Sequence, residues 1–273
     1  MQSVVVEHLN LAQHRSMLVL IFSGGALVLV PWIGYLWFSE PTEGTAHNVA
    51  WLAGGDVTLL AGSALLTGIL FLRQSPAAIV GAACTGFLAL AAVWFRVSAP
   101  LTTDSAWDSA RSFLVLLLPV GLLACSAWDW SFDSVGTPPP RGRLIAWSYW
   151  VASLLLLLGA VRLISYVPST EPVGHLRIIW AGLDTLELVG LALTAWFLNQ
   201  HSRFVVIAAS FTAALLVSDA WINITSTRGG AQVSAIGMAV VELALATLSL
   251  SLALQFASPN SAARPNQRSE TRD

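Results

Sequence analysis

Asp184 and Glu187 stand three residues apart inside "WAGLDTLELVGLALTAWFLNQHSR" (Trp180–Arg203), a stretch otherwise apolar and long enough to cross a bilayer. A spacing of three puts both acids on one face of a helix, with Trp180 a turn above them. Asp184 falls about eight residues from the end of that helix, roughly 12 Å deep at ~1.5 Å per residue, and Glu187 is a turn deeper. An acid at such a depth costs on the order of 2.5–3.5 kcal/mol even on the lenient insertion scale, so neither can face lipid. Asp219, with Asn223 one turn along the same face, and Glu242 fall at similar depths in the next two apolar stretches, and Asp56 sits in an earlier one. Arg162 is the nearest counter-charge by position, and one guanidinium cannot balance this many carboxylates. At least one acid therefore needs a proton, water or a cation, which is the requirement for a proton relay or a cation site. The competing reading is a hydrogen-bonded clasp of the acids with Arg162 and Trp indoles, which would lock helices together without transport or chemistry.

Other chemistries find less support. His47 and His175 sit just before two of the apolar stretches and are weak candidates for a metal or haem site, because no third ligand accompanies them at a recognisable spacing. No metal or other cofactor is expected. Cys84 and Cys125 stand singly in apolar runs, which suits helix packing and not a disulfide or thiolate site. There is no nucleophile elbow, P-loop, HExxH, CxxC or dinucleotide fingerprint, so the chain is not expected to be an enzyme. All 13 basic Lys+Arg residues are arginines, which removes Schiff-base chemistry.

Positioning these residues falls to long apolar elements. The chain is 56% hydrophobic and only 10% charged, with mean hydropathy +0.71, the composition of a polytopic membrane protein. A net charge of −2 with no basic cluster argues against a nucleic-acid partner. The partners expected are the lipid bilayer and other membrane subunits. Apolar stretches occur near Met17–Phe38, Ala50–Leu72, Ala77–Ala99, Ser112–Trp130, Leu144–Tyr166, Leu176–Leu198, Phe204–Ile224 and Gln232–Phe256, giving an all-α bundle of about eight spans. Arg15, Arg73, Arg141, Arg143, Arg203, Arg264, Arg268 and Arg272 all fall on one side of that weave, which marks the side as cytoplasmic and puts both termini there. The acids then lie in the outer half. In "AAIVGAACTG", Ala78, Ala82 and Gly86 recur at four-residue spacing, as close helix contact requires.

The two halves of the chain also align. At a spacing of 128, Arg15 matches Arg143, Glu43 matches Glu171, His47 matches His175, Asp56 matches Asp184, Gly62 matches Gly190 and Ile79 matches Ile207, while Trp94 and Trp221 correspond after a one-residue slip. This predicts two parallel four-helix repeats. The expected organisation is a cytoplasmic N-terminus (1–16), repeat 1 (17–132), a Pro-rich linker (133–143), repeat 2 (144–256) and a polar, disordered tail (257–273). In that register repeat 1 keeps Asp56 but has Leu59 in place of Glu187 and Ala92 near Asp219, so the polar cluster is lopsided toward repeat 2.

At "PWIGYL" (Pro31–Leu36), "WAGLD" (Trp180–Asp184) and "SDAWINITS" (Ser218–Ser226) the chain resembles uncharacterised multi-pass membrane proteins of high-GC Gram-positive bacteria. Their pattern is a Pro-Trp helix, Trp-x-Gly-x-Asp and Asp-Ala-Trp-Phe-Asp, whose last acid is Asn223 here. The resemblance implies a bacterial plasma-membrane location and no particular activity. The expected function is a proton, cation or small-solute transporter. The alternative is a non-catalytic accessory or structural subunit of a larger membrane complex, and a haem- or quinone-associated redox subunit is a third.

Overall fold

The computed structural model describes residues 16–31, 33–34, 44–98, 142–166, 174–226 and 232–257, with side chains over 16–31, 33–34, 55, 57–91, 142–159, 161, 182–225 and 232–257. These residues form seven helices and no strand: α1 Ser16–Pro31, α2 Gly44–Leu72, α3 Ala78–Ser98, α4 Gly142–Tyr166, α5 Gly174–Asn199, α6 Val205–Ser226 and α7 Gln232–Ala257. Each coincides with an expected apolar stretch. The helical backbone of α2 begins at Gly44, ahead of the apolar run at Ala50, because hydropathy marks greasy residues and not hydrogen-bonded ones. The fourth expected span, Ser112–Trp130, most of the Pro-rich linker, and the chain before 16 and after 257 lie outside the described residues.

Two tight hairpins, α2–α3 and α5–α6, are closed by the same bonds at positions 127 apart. In the first, the Gln74 N–H donates to the Phe71 carbonyl (3.0 Å) and the Ser75 N–H to the Leu70 carbonyl (2.9 Å). In the second, the His201 N–H donates to Leu198 (3.2 Å) and the Ser202 N–H to Phe197 (2.9 Å). This is a Schellman C-cap, and the residue at its left-handed position is not glycine in either copy: Gln74 has φ 54° and His201 φ 51°. The serine that ends one helix then starts the next. Ser75 Oγ accepts from the Ala77 N–H (3.3 Å) and Ser202 Oγ from the Phe204 N–H (3.4 Å), satisfying an orphan donor at each helix start.

The match continues into the helices. Thr67 Oγ1 and Thr85 Oγ1 meet at 3.1 Å across α2 and α3, and Thr194 Oγ1 and Thr212 Oγ1 meet at 3.1 Å across α5 and α6. All four hydroxyls also donate to the carbonyl four residues back, so their protons are committed within their own helices. The spacing is again 127, not the 128 read from the sequence. The side chains of Arg15, Glu43, His47 and Asp56, which carry the matches at 128, lie outside the described residues, and 127 is the slipped spacing of Trp94 and Trp221.

Helix α6 is the axis of the bundle. Its neighbours are α2, α3, α5 and α7, and 83% of its span is buried, against 22% for the span in α4 and 28% for α7. Its sequence explains this: "VVIAASFTAALLV" is apolar on every side and rich in small residues, so no face prefers the outside and neighbouring backbones approach closely. At one end of the bundle, Tyr149, Leu198, Val205 and Phe256 pack together, and the Tyr149 hydroxyl meets Ser249 Oγ at 2.7 Å. Ala78 and Ala82 are buried against Phe22 and Phe71, as their four-residue spacing predicts. Cys84 Sγ donates to the Ser210 carbonyl (3.5 Å), a helix contact between α3 and α6.

Outward faces of α4 and α7 are mostly apolar, with Leu144, Trp147, Val151, Leu154 and Leu158 exposed on one and Val233, Ile236, Val240, Leu243 and Leu254 on the other. Faces of this extent are rare on proteins in water and suit hydrocarbon. Three helices, α4, α6 and α7, are long and apolar enough to cross a membrane.

Candidate functional site

Three helices deliver acids to one place. Leu183, Glu187, Gly190, Leu191, Thr194 and Ala195 form the inward stripe of α5, so Glu187 lies at its centre and Asp184 at its edge. In α7 the buried positions Ala235, Ala239, Glu242, Ala246, Ser249, Ala253 and Phe256 alternate by four and three, and Glu242 is the large residue in the half of that seam made otherwise of Ala and Ser. Helix α6 contributes Asp219 and, one turn on, Asn223. Because α6 runs against α5 and α7, its last turns sit beside their first halves. Asp184 is about 15 Å along α5, Glu242 about 15 Å along α7 and Asp219 about 10 Å from the end of α6, all at ~1.5 Å per residue.

Burial is nearly complete: Glu187 is 1% exposed, Asp219 4% and Glu242 6%, with Asp184 and Asn223 half-buried. One carboxylate oxygen from each of Asp184, Glu187 and Asp219 lies within 4.8 Å of the others. The Asn223 amide nitrogen donates to Asp219 Oδ2 (3.0 Å) and to Glu242 Oε1 (2.8 Å), which uses both of its protons and links the fourth acid to the cluster. Three further oxygens of the buried acids, Glu187 Oε1, Asp219 Oδ1 and Glu242 Oε2, have no hydrogen-bond partner among the described residues. A buried polar atom without a partner carries a desolvation penalty of about 1–3 kcal/mol, more when charged. A proton or a cation at this cluster would offset that penalty.

Of the candidate residues, Asp184, Glu187, Asp219, Asn223 and Glu242 converge. The side chains of Arg162, Asp56, His47 and His175 lie outside the described residues, though all four stand on described helical backbone. The neighbour of Asp56, Gly55, lies directly against the Trp221 indole, so a Cβ there would overlap the ring. No metal was expected from the sequence; among the described residues the grouping that suits an ion is that of Asp184, Glu187 and Asp219. Ser218, 1% exposed with its hydroxyl unpartnered, is a further polar residue of α6 beside Asp219 that sequence reading passed over. The alternating four-and-three recurrence of Ala and Ser around Glu242 is the sequence signal that marks its inward orientation.

Compared with protein-family models, with curated proteins and with solved structures, the chain matches none.

Proposed function

We propose that the protein is a bacterial plasma-membrane bundle of about eight spans in two parallel four-helix units, both termini cytoplasmic, that moves a proton, cation or small cationic solute through its acid cluster. The matched hairpins at a spacing of 127 support the duplication, and the arginine bias supports the orientation. The observation that carries the function is the set of buried, unpartnered carboxylate oxygens on α5, α6 and α7. A clasp would leave its oxygens satisfied, because unmet lone pairs weaken the lock they are meant to form. Here only one described amide serves two acids.

The test is flux in liposomes containing the purified chain, read with an internal pH dye and with cation-sensitive dyes under an imposed gradient. Flux is expected from the native chain and its loss from Glu187→Gln and Asp184→Asn, with folding retained because the amides keep shape while removing charge. A silent native chain would sink transport and leave the accessory-subunit reading, for which the broad apolar faces of α4 and α7 offer docking surface.

A further inference from the structure

The geometry points to a single hard divalent metal ion held by carboxylate oxygens of Asp184, Glu187 and Asp219, with Asn223 as the residue that positions Asp219. This rests on the reading of the cluster as a cation site and narrows the occupant.

Size is the first reason. Oxygens bound to one Ca²⁺ at about 2.3–2.6 Å cannot be more than about 5.2 Å apart, and those on one Mg²⁺ at about 2.0–2.1 Å draw in to within about 4.2 Å. The three ligand atoms here lie within 4.8 Å of one another. An organic cation brings an alkyl body as well as a charge. The cavity between α3, α6 and α7, roughly 180 Å³, is lined by residues such as Cys84, Leu88, Val217 and Leu243 and has no acid in its wall. An ion without a body suits the space better.

Charge is the second. Three carboxylates converge and a fourth, Glu242, is tied to them through one amide, so a divalent ion balances more of the group than a monovalent one. The ligand atoms are all oxygen, which selects hard ions such as Mg²⁺, Ca²⁺ and Mn²⁺ over those that prefer thiolate or imidazole.

Independent of the clustering is the state of the deepest acid. Glu187 is 1% exposed and Oε1 has no partner; Asp219 is 4% exposed and Oδ1 has none. Asn223 accounts for the rest of the pattern. By holding Asp219 Oδ2 and Glu242 Oε1, it fixes the rotamers of both acids and leaves one oxygen of each for another ligand. That is the arrangement by which outer hydrogen bonds orient metal ligands.

The experiment uses the full chain in detergent, stripped with EDTA and titrated with Mn²⁺, reading free Mn²⁺ by its paramagnetic resonance spectrum and chain stability by thermal melting. A single saturable Mn²⁺ site, displaced by Mg²⁺ or Ca²⁺, is expected to raise the melting temperature by mass action. Glu187→Gln should abolish binding, and Asn223→Ala should weaken it about 10–100-fold while leaving all the acids in place. Should Glu187→Gln fail to fold, Asp184→Asn replaces it, because that position is half-buried. No binding at millimolar Mn²⁺, or binding unchanged by Glu187→Gln or Asp184→Asn, overturns the site. Proton flux in liposomes without Mn²⁺ binding would keep the transport proposal and remove the metal; Mn²⁺ binding without flux would keep the metal and remove transport.

Discussion

The α2–α3 and α5–α6 hairpins share a turn, a left-handed cap residue, a dual-purpose serine and a threonine pair, and differ in what stands a few turns further on. At the spacing of 127 the partners of Asp184, Glu187 and Asp219 are Val57, Leu60 and Ala92. The backbone solution is common to both, and the described acids belong to one, Asp56 of α2 having no described side chain. Acids required for packing would be expected wherever the same packing recurs. Here the same turn and the same hydroxyl contact form with Leu60 and Ala92 in place of Glu187 and Asp219, so neither of those two acids is needed for that packing.

Moving the acid between hairpins tests that difference most severely. Leu60→Glu places a carboxylate where the first hairpin has none, and stability in detergent should fall by about 2.5–3.5 kcal/mol. Glu187→Leu, the reverse change, removes a charge with unmet oxygens and should be neutral or stabilising by ~1–4 kcal/mol, while ending ion-dependent stabilisation. Equal destabilisation by the two would mean the acids are part of the lock. Chemical denaturation followed by far-UV circular dichroism reads both.

Glycine and serine distinguish the hairpins at a second place. Gly190 corresponds to Ser63, and a Cβ on Gly190 would sit 2.9 Å from Thr212 Oγ1, so Gly190→Ala should cost roughly 1–3 kcal/mol by overpacking. Ser63 Oγ instead meets Thr85 Oγ1 at 2.8 Å, and Ser63→Ala should cost only about 0.6 kcal/mol, typical of a membrane hydrogen bond. Similar costs at the two positions would show that α5 and α6 are no closer than α2 and α3. The smallest effect should be the same in both copies: Gln74→Gly and His201→Gly relieve a left-handed side chain and should each stabilise by about 0.5 kcal/mol, net of the greater freedom glycine has when unfolded. Unequal melting shifts would show that the turns are not equivalent.

Much of the bundle is legible in the sequence because span length and hydropathy are dictated by the hydrocarbon itself; Leu144–Tyr166 and Gln232–Phe256 fall within two residues of α4 and α7. The convergence of Asp184, Glu187, Asp219 and Glu242 follows from the same logic, since lipid excludes charge and leaves inward as the remaining direction. Two features resist such reading. The register of the internal match depends on hydrogen bonds at Gln74 and His201, residues unlike each other in the sequence. The use of Asn223 as a two-armed donor depends on the angle between α6 and α7, which no spacing in the chain encodes.

The α7 seam carries one more consequence. From Ala235 through Ala239 and Ala246 to Ser249 the separation of α7 from its neighbours is set by methyl groups and one hydroxymethyl, with Glu242 as the long arm among them and Leu252 and Phe256 filling the far end. A helix held at so short a standoff behaves as a lever: a bulky residue placed at Ala239 or Ala246 cannot be absorbed locally and must tilt or lift the whole rod. The oxygens of Glu242 would then swing away from Asn223, so the acid cluster can be dismantled from a position that never touches it.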